Sequence, residues 1–277
     1  GVLDYTKTAM GKRMIRSWIE QPLINISQIS RRHNAVDELV SDSMLRGDLI
    51  ELLKNIYDLE RIMTRIVYGS ANARELRSLS QTICRLAPIK ERMAGVKSAL
   101  LVDTRNEIDP LEDVRSLIES AIVDDPPFSV REGGIIREGY NSEVDTLRRE
   151  MTDGKGIIAA IEAREKEKTG IKTLKVGYNR VFGYYIEVSK SFIGQVPDSY
   201  IRKQTLANSE RYITEELKEL EARVLGARER IVELEYQLFN EVRLKVAEQL
   251  HRIQTTAQAI ARLDVLCSFA EAAQRNK

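Results

Sequence analysis

Two cysteines in 277 residues are too few for a disulfide framework. Cys84 and Cys267 sit in helical patterns without the paired spacing of a zinc site, so they read as buried thiols in a reducing compartment. No apolar run approaches the roughly 20 residues needed to span a bilayer, and no leader opens the chain. The start, Gly1-Val2-Leu3-Asp4, lacks an initiator Met, as an excised fragment would, and the expected location is cytoplasmic. Histidine is equally scarce. His33 and His251 lie far apart on helical segments and read as surface or packing residues, not as a base or a ligand. No GxxxxGK[ST] run is present, and Gly177 and Gly183 flank a hairpin bend rather than a strand-to-helix phosphate loop. Asp and Glu are plentiful, but they fall on helical faces where solvation and i,i+4 pairing account for them. These absences exclude a recognisable catalytic constellation, and the chain reads as non-enzymatic.

What is present is organised around residues 172–188. Leu174, Val176 and Tyr178 alternate with Lys175, Gly177 and Asn179; then Tyr184, Ile186 and Val188 alternate with Tyr185, Glu187 and Ser189. Period-two alternation with Asn and Gly at the bend predicts a hairpin. A second hairpin is expected from Tyr200–Leu206 and Arg211–Thr214, giving four short antiparallel strands.

Almost everything else has the helical period. Met10, Met14, Ile15, Trp18 and Ile19 share a helix face that Gln21-Pro22 ends. A helix capped at Asn25 or Ser27 follows, then amphipathic segments at Leu45–Leu53, Leu59–Tyr68, Ala73–Leu86, Ile89–Leu100 and Leu111–Ile122. Asp124-Asp125-Pro126-Pro127 marks a boundary. Beyond it, 141–168 reads as an outgoing helix in which Gly154 and Gly156 predict a kink or local break. Thr214 caps a return helix to Ile253, whose Leu217, Leu220, Val224, Ala227, Ile231, Leu234, Leu238 and Val242 form a heptad stripe. Forty residues at ~1.5 Å each make a rod of about 60 Å.

The expected class is therefore mainly α. A helical domain (1–127, completed by 254–277) carries a long antiparallel helical arm (128–253) with a small antiparallel sheet, about 171–214, at its tip.

Net charge is only +1, but it is uneven. From Thr169 to Asn208, Lys172, Lys175, Arg180, Lys190, Arg202 and Lys203 face only Glu187 and Asp198, so this stretch nets +4 and the remainder −3. A local basic patch on a near-neutral body suits a polyanion. Lysine on edge strands also deters aggregation, and charge alone leaves both readings open.

At the level of whole motifs the chain resembles the bacterial MutS family of DNA mismatch-recognition proteins. Thr173–Val188 and Gln204–Ile213 resemble the family's clamp. Thr8-Ala9-Met10-Gly11-Lys12-Arg13, Trp18 and Gln21-Pro22-Leu23 resemble the start of its core, or lever, domain. Asp58-Leu59-Glu60-Arg61, Asp125-Pro126-Pro127 and Glu132–Tyr140 are similar to later landmarks. The resemblance implies a lever-and-clamp fragment without the mismatch-binding, connector or ATPase domains. ATP and Mg, a homodimer and a MutL-type partner belong to the full-length family protein, in a bacterial cytoplasm near the nucleoid. It further implies backbone contact with double-stranded DNA. Candidates for that contact are Lys172, Lys175, Asn179, Arg180, Lys190, Arg202, Lys203, Asn208 and Arg211. Two readings stay beside it: a coiled-coil arm whose tip binds another protein, and a MutS homologue working outside mismatch repair.

Overall fold

The first helix begins where the sequence can cap it. In the computed structural model, which describes residues 2–276, Thr8 Oγ1 accepts the Gly11 N–H at 2.9 Å and opens α1 (Ala9–Glu20). Asn25, one of the two expected caps, starts α2 (Ile26–Ser41) by accepting from Gln28 N at 3.1 Å. Asp42 and Asp58 do the same for α3 (Ser43–Leu53) and α4 (Leu59–Val67).

The helix expected over Ala73–Leu86 is α5 (Ala73–Ile83), opened by an Asn72–Glu75 capping box; it ends slightly early, where a turn at Cys84 and Arg85 divides it from α6 (Leu86–Arg92). The expected Ile89–Leu100 segment also divides, because a turn through Met93–Gly95 ends α6. The next helix, α7 (Ala99–Glu107), is opened from a distance, Glu38 of α2 accepting Lys97 N at 2.6 Å and Ser98 N at 2.9 Å. A carboxylate 60 residues away supplies the cap that Ser98's own side chain does not. The last of this series is α8 (Glu112–Ala121).

The chain divides into two units, residues 1–137 with 237–277, and Glu138–Tyr236. Pro126 and Pro127 interrupt helix but do not end the first unit. Val123 N donates to Ile135 O at 2.9 Å and Arg137 N to Ala121 O at 2.8 Å, which folds residues 128–137 back onto it. The centre of this unit is α11 (Leu250–Arg275), against which α1, α2, α3, α4 and α7 pack. Its Ile253, Ala257, Ile260, Leu263, Leu266 and Cys267 are all buried, as suits a helix apolar on most sides. Of the two thiols, only Cys267 is buried; Cys84, at the end of α5, is exposed. His33 and His251 are both exposed.

The return helix is shorter than its stripe suggested. It spans α10 (Glu215–Ala247), 33 residues or about 50 Å. The helix stops where Gln249 N turns back to Val246 O at 3.0 Å, an i→i−3 bond that tightens the last turn. Arg252 then takes Gln249 Oε1 at 2.9 Å together with Asp109 and Asp113, and Ile253 belongs to α11. Polar Lys245 and Gln249 mark the point where the heptad stops being buried on one face.

In the second unit α9 (Ser142–Thr169) runs unbroken through both glycines, against expectation. It lies antiparallel to the first part of α10: Arg164 pairs with Glu216, Gly154 meets Val224, and Arg230 reaches Glu143 at 3.1 Å. The helix survives its glycines because one of them is a contact point. A Cβ on Gly154 would stand 2.7 Å from Val224 Cγ2, whereas one on Gly156 would meet nothing within 4 Å.

The sheet is mainly local in origin: β1 (Lys175–Asn179), β2 (Gly183–Ser189), β3 (Ile201–Thr205) and β4 (Ser209–Ile213) form two hairpins in the order β1-β2-β4-β3, all antiparallel. A 3-10 turn, Lys190–Gln195, follows β2. Among the described residues no helix is long and apolar enough to cross a membrane.

The two glycines of α9 should therefore respond oppositely to alanine. Gly156→Ala should raise stability by about 0.5–1 kcal/mol, while Gly154→Ala should lower it, because branched Val224 must move. Urea denaturation of the two variants checks this; equal shifts would refute the close approach.

Candidate functional site

The sheet has two unlike faces, fixed by register. Val176 pairs with Ile186, Tyr178 with Tyr184 and Ile186 with Tyr212, which puts these side chains, with Val188, on one face. That face packs on Ile161 of α9 and Leu217 and Leu220 of α10, with Ile171, Leu174 and Tyr200 completing the core. Lys175 pairs with Glu187, Gly177 with Tyr185, and Glu187 with Arg211, which defines the opposite, outward face.

Helical carboxylates hold the sheet on its helices. Glu162 accepts Val176 N at 2.9 Å on the outer edge of β1. Buried Glu165 takes the Tyr200 hydroxyl. Glu221 approaches β2, accepting Tyr184 N at 3.3 Å, and a Cβ on Gly183 would lie 2.1 Å from its Oε2. Gly183 has φ +78, so this position excludes a side chain on two counts. Within the sheet, the Tyr212 hydroxyl donates to Glu210 at 2.6 Å. Burial, reinforced by the neighbouring carboxylate, pushes the Tyr212 phenol up to about 12 and Tyr200 higher still. Burial also raises Tyr184.

The outward face carries a polar chain across all four strands. Tyr185 of β2 lies over Gly177 of β1, where a Cβ would be 2.6 Å from the phenol oxygen. Arg211 of β4 stacks 4.2 Å above the Tyr185 ring, donates to Glu187 at 3.1 Å and reaches Gln204 of β3 at 3.0 Å.

The nine candidate residues do not form one cluster. At one end of the sheet Lys190 N donates to Asn208 O at 3.1 Å, and Lys175 starts β1 at that same end. Lys172 lies just before β1 and is exposed. Asn179 and Arg180 are at the opposite end, in the β1–β2 turn. Asn179 Oδ1 accepts Val181 N at 2.7 Å and Phe182 N at 3.3 Å, so its side chain shapes the turn. Arg211 is committed to the polar chain just described.

Strict alternation across β3 would put Arg202 with Gln204 and set Lys203 opposite. The structure differs. The register shifts between Arg202 and Gln204, so Arg202 pairs with Tyr212 while Gln204 pairs with Arg211, and Lys203 is the extra residue of a β-bulge. Arg202 consequently lies 3.7 Å from Glu210, whereas exposed Lys203 stands on the outer edge of the sheet. Lys172, Lys175, Arg180, Lys190 and Lys203 are exposed, and among the described residues none has a carboxylate within 4 Å. These five are the cations the fold leaves uncommitted.

Sequence reasoning missed Glu162, Glu165 and Glu221, which position the sheet yet look like solvated helix faces. Gly183, which closes the bend Asn179-Arg180-Val181-Phe182, was the one local hint of a close approach. The aromatic residues divide: Tyr184, Tyr200 and Tyr212 are core, whereas Tyr178 and Phe182 are exposed, as is neighbouring Val181. Among the described residues no group of three or more His, Cys, Asp or Glu side chains is placed to hold a metal ion. The arrangement offers charge and shape.

A family model described as MutS domain III matches residues 1–270. Three relatives called DNA mismatch repair protein MutS align over nearly the whole chain: 57% identity over 99% of it in Acetivibrio thermocellus, 55% over 99% in Ruminiclostridium cellulolyticum and 54% over 98% in Symbiobacterium thermophilum. The chain spans only 32%, 31% and 31% of their respective lengths.

Tyrosine ionisation tests the core of this site. A raised folded-state pKa means that the phenols support folding fully below their ordinary value of about 10, and that support is lost as pH rises through about 12. Of ten tyrosines, Tyr184, Tyr200 and Tyr212 should ionise last, in step with loss of sheet circular dichroism. Tyr212→Phe should remove one late phenolate from the ultraviolet titration. All ten ionising together while the sheet stays folded would contradict the assignment.

Proposed function

Because the chain belongs to the MutS domain III family, we propose that it is the lever-and-clamp part of a DNA mismatch repair protein and that its four-stranded sheet grips the backbone of duplex DNA without reading bases. The observation that carries this is the set of uncommitted cations: Lys172, Lys175, Arg180, Lys190 and Lys203 are exposed and unpaired on a sheet whose other charges are internally balanced. Such groups gain by meeting phosphate, since releasing condensed counterions from DNA favours binding. They occupy both ends and one edge of the sheet, an arrangement that suits contact along a rod-like polyanion better than capture of one small anion. Phosphate contacts hold and orient, and sequence is read elsewhere.

Under this proposal residues 138–236 serve as the clamp arm and 1–137 with 237–277 as the lever, in place of the bounds 128–253 and 1–127 with 254–277 expected from the sequence. The chain itself is not an enzyme. ATP and Mg, the homodimer contacts and a MutL-type partner are assigned to the parts of the longer relatives that this chain does not match. A second reading, a tip that meets another protein, is favoured by exposed Tyr178, Val181 and Phe182 around the β1–β2 turn. The two readings differ in salt dependence, because apolar contacts strengthen with salt while phosphate contacts weaken.

Duplex binding measured at several salt concentrations tests the proposal. Lys175→Ala, Arg180→Ala and Lys203→Ala should each lower the salt slope by about one, equally for matched and mismatched duplexes. Arg202→Ala should have a smaller effect, because Glu210 already pairs with that residue. Arg211→Ala should instead lower thermal stability by about 1–3 kcal/mol through loss of its bonds to Glu187 and Gln204. Unchanged slopes for the three uncommitted cations would sink the DNA reading, and a loss confined to mismatched duplex would sink the non-specific one.

A further inference from the structure

The outward face of the sheet holds one ion pair at its centre. Register sets Lys175 of β1, Glu187 of β2, Arg211 of β4 and Gln204 of β3 in a single row across the four strands. Glu187 Oε1 accepts from Arg211 Nε at 3.1 Å and from Ser209 Oγ at 3.2 Å. The strands contain one other carboxylate, Glu210, which is buried on the opposite face and bonded to the Tyr212 hydroxyl. Glu187 is therefore the only negative charge of the four strands that the outward face carries.

Arg211 does not need Glu187 to stay where it is. Its guanidinium stacks on Tyr185 at 4.2 Å, and its Nη1 donates to Gln204 at 3.0 Å. The third nitrogen, Nη2, has no hydrogen-bond partner among the described residues and is not buried. The pair itself is partly open, with the Arg211 and Glu187 side chains 20% and 31% exposed. Ion pairs that water reaches hold weakly. A phosphate offers a guanidinium two parallel bonds and gains by counterion release. A cation that is pre-positioned and outward, but neutralised by one weakly held carboxylate, is a contact kept in reserve.

We infer that Glu187 withholds Arg211 from DNA and so limits the strength of the sheet's grip. This role rests on the DNA reading proposed above and adds a regulator to the same face. With Glu187 charged, the row contributes Lys175 alone. With that charge removed, Arg211 joins it as a further phosphate contact.

Duplex binding by Glu187→Gln tests this, because the amide keeps an acceptor for Arg211 and Ser209 while the charge is lost. The salt slope should steepen by about one, and the affinity advantage of the variant should grow roughly threefold as salt falls from about 200 to about 50 mM. In an Arg211→Gln background the same substitution should give no gain. Should Glu187→Gln fail to fold, Glu187→Thr carries the test, since a β-branched residue suits a strand position. If the parent chain binds with the expected salt dependence but loss of the Glu187 charge does not steepen it, the role of Glu187 is overturned and the DNA reading stands. A purely structural pair would give that result, moving the melting temperature and not the slope. An equal gain with and without Arg211 overturns the role too, since Glu187 would then be a simple repulsive charge. A parent chain whose duplex binding does not weaken with salt overturns both readings.

Discussion

One buried carboxylate fixes how the first unit is put together. Asp264 of α11 is almost inaccessible, and it accepts from Lys7 N at 2.9 Å, Thr8 N at 2.8 Å and Thr8 Oγ1 at 2.7 Å. Thr8 in turn caps α1, and a Cβ on Gly11 would stand 2.1 Å from Asp264 Oδ2. The Thr8-Ala9-Met10-Gly11 motif thus reduces to one physical requirement: a capping hydroxyl and a bare Cα must face a charge that water does not reach. Burial raises the pKa of Asp264 in spite of its donors. With a folded value above the unfolded one, its contribution is full at acid pH and declines as the group ionises. The charge is kept at some cost to stability at neutral pH, and what it secures is orientation. The start of the chain is pinned to α11, on which most other helices of this unit pack.

The same device recurs in the second unit with different donors. Glu162, Glu165 and Glu221 project from α9 and α10 and take a backbone N–H or a tyrosine hydroxyl of the sheet. Apolar packing on Ile161, Leu217 and Leu220 supplies the bulk of the burial, but it is non-directional. The carboxylates set rotation and height. A sheet held by directed bonds to two helices can present its outer side chains in a fixed pattern, which a flexible loop could not do.

Much of this was legible in the sequence, and the limits are instructive. The two hairpins, their order along the chain, the Asn25 and Thr214 caps and the buried stripe from Leu217 to Val242 all follow from local periodicity. What escaped was decided by residues distant in sequence. Gly154 does not break α9 because Val224 waits opposite it. The helix after Ser98 starts on a carboxylate from α2. Of the nine candidate contact residues, Arg211, Asn179 and Arg202 proved engaged with neighbours through their side chains and Asn208 through its backbone oxygen, while five cations remained free. Composition counts charges but cannot say which are already spoken for, because that depends on register. A single bulge residue at Lys203 was enough to reassign Arg202 to the core side.

That bulge also bears on what the sheet does not do. A small antiparallel sheet has two outer strands, each a row of amide groups that could recruit another strand. On β1 the Val176 amide is occupied by Glu162, and on β3 the ladder is broken by an exposed lysine. Neither border offers the flat, uninterrupted edge that templates cross-strand growth. Two neighbouring copies could be crowded side by side without zipping into a continuous sheet. Resistance to amyloid-like association is thus built into the same stretch that carries the free charge.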